Sequence, residues 1–333
     1  MTTRHRLLGL TVAVLWGINF LAIHAGLEHF PPVFFAGLRF AVLAVPVILF
    51  VPWPRVPMRW FLLYGVGFGT VQFAFLFLAM ANGMPTGLAS LVLQASAPFT
   101  AILGVLLLGE RMSGRQIAGI ALAVGGMALI AADRAAHGAS AALVPVILTL
   151  LGALGWAFGN IGSRKAMADN ADPGTPLRLT LWMSVVPPIP LFALSAATEG
   201  PSAGWHAVAS IGERSGLIAL GGLVYIVLLA TVVGLGLWTY LMGLYPASRV
   251  APFSLLVPIV GITASWLILG ERPTALELAG AAVVIAGCLI GMTARPAARR
   301  ATNLGTCPAS SRRSSTENCP VGSSTRTTTS SRF

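Results

Sequence analysis

Two short segments place an amide beside an indole at matching spacing, Trp16-Gly-Ile-Asn19 and Trp156-Ala-Phe-Gly-Asn160. Residues three or four apart share a helix face, so each asparagine stands near its own tryptophan. The amide both donates and accepts hydrogen bonds, and the indole adds one donor on an apolar plate. That equipment holds and releases a small polar or amphipathic molecule; the competing reading is interhelical bonding that only steadies a bundle. Gln94 lies one turn before Pro98, and a proline leaves the carbonyl four residues earlier without its backbone partner, free to line a pathway. Pro258 stands one register off the corresponding place later in the chain, so Pro98 and Pro258 are candidate gates or plain kinks. Arg39 is the candidate for orienting an anionic substrate group at an outer mouth, against the reading that it snorkels to lipid headgroups.

Catalytic chemistry finds no such support. The sequence has no His-Glu-x-x-His and no serine with a histidine partner at one depth, so no enzyme activity is expected. Cys288 sits in an apolar run, while Cys307 and Cys319 sit in a polar stretch without His or acid at ligand spacing; no metal or cofactor is expected. His24, taken as the only histidine within a span, is a candidate for proton coupling, although near a helix end an interfacial role competes. No Asp or Glu is expected inside any span, which argues against a carboxylate relay and leaves uniport or exchange open.

Such groups need long helices to carry them, and the composition supplies these. Hydrophobic residues make up 56% of the 333 positions and charged ones 9%, against about 25% charged in a soluble domain. Trp60 to Gly109 contains no Asp, Glu, Lys or Arg, enough to cross a bilayer twice at about 20 residues per span. The net charge of +11 is strung along segment ends rather than gathered on one face, which excludes a nucleic-acid surface. Charges, Pro/Gly clusters and span length predict helices near 7–27, 33–51, 60–81, 87–108, 116–133, 142–163, 177–197, 216–240, 249–269 and 276–294. The first is read as a retained helix, since it is longer than a signal peptide's apolar core and no small-residue cleavage site follows. The fold class is therefore an all-α integral membrane protein of ten transmembrane helices.

With the N-terminus inside, the cytoplasmic side holds thirteen Lys/Arg and the other side four, Arg39, Arg134, Arg214 and Arg272. Basic loops resist translocation, so both termini are expected in the cytoplasm. From Arg300 the chain turns to Ser, Thr, Arg and Gly. A stretch that poor in aliphatic residues is expected to be a disordered basic tail, residues 295–333.

Residues 104–126 resemble residues 265–287 at an offset of 161, with Leu-Gly-Glu-Arg at 108–111 and again at 269–272, where Glu110 with Arg111 and Glu271 with Arg272 are expected to form paired, structural turns at the ends of the fourth and ninth helices. The front of each half matches at a smaller offset, setting Trp16 on Trp156 and Arg39 near Arg178, with the slack taken up by a longer loop from Thr198 to Ser215. Five helices is an odd number, so a second copy enters the membrane from the opposite side. Residues 1–134 and 135–294 then form two inverted repeats, an arrangement associated with alternating access around a site between the halves.

The doubled Leu-Gly-Glu-Arg, Trp-Gly-Ile-Asn-Phe from Trp16 to Phe20 and Gly-Leu-Arg-Phe from Gly37 to Phe40 resemble the EamA family of the drug/metabolite transporter superfamily over about residues 7–294. The resemblance implies a bacterial inner-membrane secondary transporter with a small-molecule substrate, export of amino acids or related metabolites being the expected direction. It also implies a central cavity lined by helices 1, 3, 4, 6, 8 and 9, which adds Phe77, Tyr225 and Trp238 to Trp16, Asn19, Gln94, Trp156 and Asn160 as substrate-binding candidates. Arg39 matches the family's characteristic arginine of the second helix. The alternatives are a lipid or lipid-linked flippase and a non-transporting receptor or scaffold; the latter requires no inverted duplication.

Overall fold

Hydrocarbon offers the backbone no hydrogen-bonding partner, so so apolar a chain must close its N–H···O=C bonds within each segment. The computed structural model describes residues 1–138, 143–168, 172, 174–245 and 247–292, and every regular element among them is helical. Nine helices among the described residues are long and apolar enough to cross a membrane: α1 (Thr3–Leu27), α2 (Pro32–Phe50), α3 (Met58–Ala81), α4 (Thr86–Leu108), α5 (Gly114–Ala136), α6 (Val144–Met167), α7 (Thr175–Thr198), α8 (Arg214–Leu244) and α9 (Ala251–Leu269). A shorter apolar helix, α10 (Ala275–Met292), follows. Their ends fall within four residues of the sequence expectation. The expected tail, residues 295–333, lies outside the described residues.

The outer face of these helices is what lipid requires. Phe50 is 80% exposed, Ile189 78% and Leu267 71%, a surface no aqueous protein presents so widely. Inward, glycines let backbones meet. An added Cβ on Gly119 would lie 2.5 Å from the Gly287 carbonyl oxygen, joining α5 to α10, and one on Gly67 would lie 2.7 Å from the Gly159 nitrogen, joining α3 to α6. α1 packs against α8 and α9, and α2 against α7 and α3.

Several helices depart from regular α geometry where the site will be. Gly65–Val71 within α3 and Tyr225–Val233 within α8 are π-helical, a widened turn that frees backbone groups and recurs at functional sites. Their positions differ by about the same 161 residues that separate the Leu-Gly-Glu-Arg copies. Tight 3₁₀ turns at Leu93–Ala95 and Ala251–Leu255 stand just before Pro98 and Pro258. In both copies of the motif the glycine takes a left-handed backbone, Gly109 at φ 64° and Gly270 at φ 68°, and ends its helix as a C-cap.

Four expectations are corrected. The Thr198–Ser215 connection contains a short helix, Ala203–Ala209. α1 begins at Thr3, because the Thr2 hydroxyl accepts from the His5 amide; His5 therefore also lies in a span, its Nδ1 2.7 Å from the Tyr245 hydroxyl. Carboxylates do occur within the apolar helices: Asp133 in α5 and Glu277 in α10 are 5% and 6% exposed. They survive there because they sit near helix ends with partners, the Thr274 hydroxyl donating to Asp133 at 2.7 Å and Arg134 lying 3.7 Å from Glu277. Finally, the acids of the repeated motif do not pair within their own turn. Glu110 pairs with Arg164 of α6, and Glu271 accepts from the Thr86 and Gly87 amides at 2.8 and 3.1 Å, capping the start of α4.

Candidate functional site

The widened turn of α8 gathers four of the predicted residues. Trp16 of α1 donates its indole N–H to the Ala230 carbonyl at 3.0 Å, and its ring lies 5.2 Å from that of Trp238. Gly234 makes this approach possible, since a Cβ there would fall 2.7 Å from the indole nitrogen. Tyr225 donates its hydroxyl to the Leu15 carbonyl at 3.0 Å. From the other side Arg39 of α2 donates from Nη2 to the Thr231 hydroxyl at 3.3 Å, and that hydroxyl donates onward to the Ile226 carbonyl at 2.7 Å. Trp16 and Arg39 thus end on neighbouring residues of one π-helical segment.

Arg39 does not snorkel. It is 6% exposed, well inside α2, and its guanidinium carbon lies 4.1 Å from the Phe73 ring centre and 4.9 Å from that of Phe40. An arginine at a helix centre costs roughly 2.5–3.5 kcal/mol on insertion scales, so an interior position needs compensation that one hydroxyl and two ring faces supply only in part.

Aromatic contacts extend the cluster to α6. Phe73 meets Phe68 at 5.9 Å, and Phe68, in the α3 π-segment, meets Trp156 edge-on at 5.6 Å. Phe77 belongs to this packing and is fully buried between Phe35 and Phe73. It is packed core in this conformation.

The remaining amides lie along α4 and its neighbours. Asn160 donates to the Thr100 hydroxyl at 3.0 Å, and Gln94 reaches the Ser254 carbonyl at 3.4 Å across to α9. The two asparagines are not equivalent in their bonding. The offset of 161 sets Gly261 where Thr100 stands, and the Asn19 Oδ1 is buried without a partner. Gln72 Oε1, Thr70 Oγ1 and Arg39 Nη1 are likewise buried and unpartnered. Pro98 and Pro258 are both buried in their helices, and Pro98 also lines a cavity of about 130 Å³ with Ala101, Gly119, Cys288 and Gly291. A larger cavity, about 350 Å³, opens among Pro85, Asp133, Arg134, Glu271, Thr274 and Glu277.

Sequence reasoning missed Thr231, Phe68, the Glu271 cap on α4 and the Glu199 cap on α2, whose carboxylate accepts from the Val33 and Phe34 amides. Thr231 carried a signal, since Thr70 stands 161 residues before it and a repeated polar residue in an apolar run needs a reason. Among the described residues no group of three or more metal-ligating side chains forms. His24, 39% exposed, lies 3.7 Å from Glu28.

The profile of the EamA-like transporter family matches residues 5–132 and 143–293. The chain is 42% identical over 292 residues to an Escherichia coli protein named a probable amino-acid metabolite efflux pump, covering 88% of this chain and 96% of that one. A Salmonella typhimurium protein of the same name is 41% identical with the same coverage. A probable terminal-alkyne amino-acid exporter of Streptantibioticus cattleyicolor is 29% identical over 209 residues, 62% of this chain and 64% of that one. One solved crystal structure superposes with a TM-score of 0.56 at 17% identity, covering 87% of this chain and 96% of that chain, a likeness of fold alone.

Proposed function

This chain belongs to the EamA-like transporter family, and from that membership we propose that it exports amino acids or related metabolites from the cytoplasm by alternating access. The observation that carries the substrate class is the 42% identity to a probable amino-acid metabolite efflux pump over 96% of that protein's length. In this reading the ten helices cross the inner membrane as two inverted five-helix repeats, 1–134 and 135–294, with both termini cytoplasmic. Trp16, Asn19, Gln94, Trp156, Asn160, Tyr225 and Trp238 contact the passenger, with Phe77 joining them when the aromatic packing opens. Arg39 orients it, and the turns around Pro98 and Pro258 bend to admit it.

Unequal bonding in the two halves supports a conformational cycle. Thr231 holds Arg39, while its counterpart Thr70 is unpartnered and Arg178 pairs instead with Asp172 at 3.1 Å. Two halves of like sequence in unlike states are what a rocking pair presents at either end of its stroke.

Labelled amino acids loaded into proteoliposomes, with and without a pH gradient, test the reading. Saturable movement of at least one supports it, and acceleration by the gradient assigns proton coupling. Absence of movement across all of them, from protein shown to be folded, overturns it in favour of a lipid substrate.

Asn19→Leu separates function from structure. Removing a buried acceptor that lacks a partner costs no hydrogen bond, so thermal stability in detergent should hold or rise. Transport should fall at least about tenfold, the worth of one hydrogen bond of about 1.4 kcal/mol to the passenger. Asn160→Leu, which strips Thr100 of a donor, should lose about 1 kcal/mol of stability as well. Wild-type transport in both variants would remove the pair from the site.

A further inference from the structure

Arg39 carries more binding capacity than the protein uses. Its Nη1 is buried without a hydrogen-bond partner, and its neighbour Nη2 meets only the Thr231 hydroxyl. The remaining contacts are the faces of Phe73 and Phe40. The ion pairs among the described residues include no carboxylate on Arg39. A guanidinium is always charged, and in a desolvated site it calls for an anion. A guanidinium presents its N–H groups as a fork that fits a planar carboxylate through two parallel bonds.

We propose that the free edge of the Arg39 guanidinium is the recognition point for the carboxylate of the passenger, so that this protein selects monocarboxylates and rejects their neutral amides. The proposal rests on the export reading above and specifies the chemistry its substrate must carry. Charge balance favours a carboxylate over a phosphate. Arg39 brings one positive charge, and its described contacts are a hydroxyl and aromatic rings, whereas a phosphate monoester brings close to two negative charges at neutral pH. The acceptors left unpartnered are also of the right kind for the other end of an amino acid. Asn19 Oδ1 is buried on the helix face of Trp16, whose indole ends on Ala230 next to the Thr231 that holds Arg39, and is suited to accept from an ammonium group; Gln72 Oε1 is a second buried acceptor without a partner. The Thr231 hydroxyl and the Phe73 face hold the guanidinium in one orientation before the passenger arrives, and such preorganisation favours binding.

A purely architectural arginine, tying α2 to α3 and α8, would make no distinction between an acid and its amide. The full-length protein in proteoliposomes is therefore assayed with labelled alanine, cysteine and phenylalanine and with the three corresponding carboxamides. Wild type is expected to move at least one acid about tenfold or more faster than its amide, since hydrogen bonds to an ionised partner are roughly twice as strong as neutral ones. Arg39→Gln is expected to bring that ratio close to one. Arg39→Lys, which keeps the charge but not the fork, is expected to fall between.

Equal handling of acid and amide by wild type overturns the carboxylate site while leaving export intact. A wild-type ratio retained by Arg39→Gln overturns it too. Should neither acids nor amides move, the export reading falls and this site falls with it. If Arg39→Gln fails to insert, Arg39→Lys decides: a ratio undiminished from wild type overturns the fork, and a reduced one supports it.

Discussion

Glu271→Ala is expected to lower the thermal midpoint of the detergent-purified protein markedly. The reason lies at the start of α4, where Pro85 occupies the N-cap position and offers no side-chain oxygen. The Glu271 carboxylate, 185 residues away, accepts from the Thr86 and Gly87 amides in its place. α2 repeats the arrangement: Pro31 provides no cap, and the Glu199 carboxylate accepts from the Val33 and Phe34 amides at 2.7 and 3.0 Å. Hydrogen bonds to an ionised acceptor contribute about 1.5–3 kcal/mol each, and the amides left behind lose an acceptor that compensates their burial. Negative charge at a helix N-terminus adds a favourable dipole term. Glu271→Ala and Glu199→Ala should each cost about 2–4 kcal/mol, with Glu271→Gln, which keeps an acceptor oxygen, costing about half. Melting curves for the four proteins check this; a Glu271→Ala midpoint equal to wild type would mean that the cap contributes nothing. Because each carboxylate also ties a connecting turn to a separate helix, transport in the alanine variants should change alongside stability.

Gly67→Leu is expected to abolish recovery of monodisperse protein. A Cβ at this position would stand 2.7 Å from the Gly159 nitrogen and 2.8 Å from the Gly155 carbonyl oxygen. Those are backbone atoms of α6, which cannot swing aside as a side chain would. Overpacking ordinarily costs about 1–3 kcal/mol; here the alternative is to part α3 from α6, which also pulls Phe68 away from Trp156. Gly125→Ala is the control, since a Cβ there meets nothing within 4 Å and alanine is the better helix former by up to about 1 kcal/mol. Size-exclusion profiles of the two variants should differ completely. A Gly67→Leu profile matching that of Gly125→Ala would refute the close approach.

Some of this was legible in the chain. A run from Trp60 to Gly109 without a charge leaves membrane helices as the solution, because each segment must satisfy its own backbone in lipid. The repeated Leu-Gly-Glu-Arg pointed to two related helix ends, and both glycines do adopt the left-handed cap. What the repeat did not convey was the fate of its glutamates. Identical motifs send Glu110 to Arg164 and Glu271 to the start of α4, because a flexible glutamate side chain answers to whichever donor lies nearby and not to its own neighbours in sequence. Arg39 failed for the same reason: its position a few residues into a helix fits snorkelling as well as burial, and only the rings of Phe73 and Phe40 and the Thr231 hydroxyl decide for burial.

By itself, then, the sequence determined the class of fold, the membrane helices to within four residues at their ends, and the family, since each follows from local composition, span length and repeated motif. The tertiary structure decided which polar groups have partners. It paired Asn160 with Thr100 and left Asn19 with a buried free oxygen, brought Trp16 and Arg39 onto adjacent residues of α8, and set Glu199 and Glu271 on distant helix starts. These contacts join residues 60 to 214 positions apart, and their strength depends on ångström-scale approach and direction, which spacing along a chain does not encode.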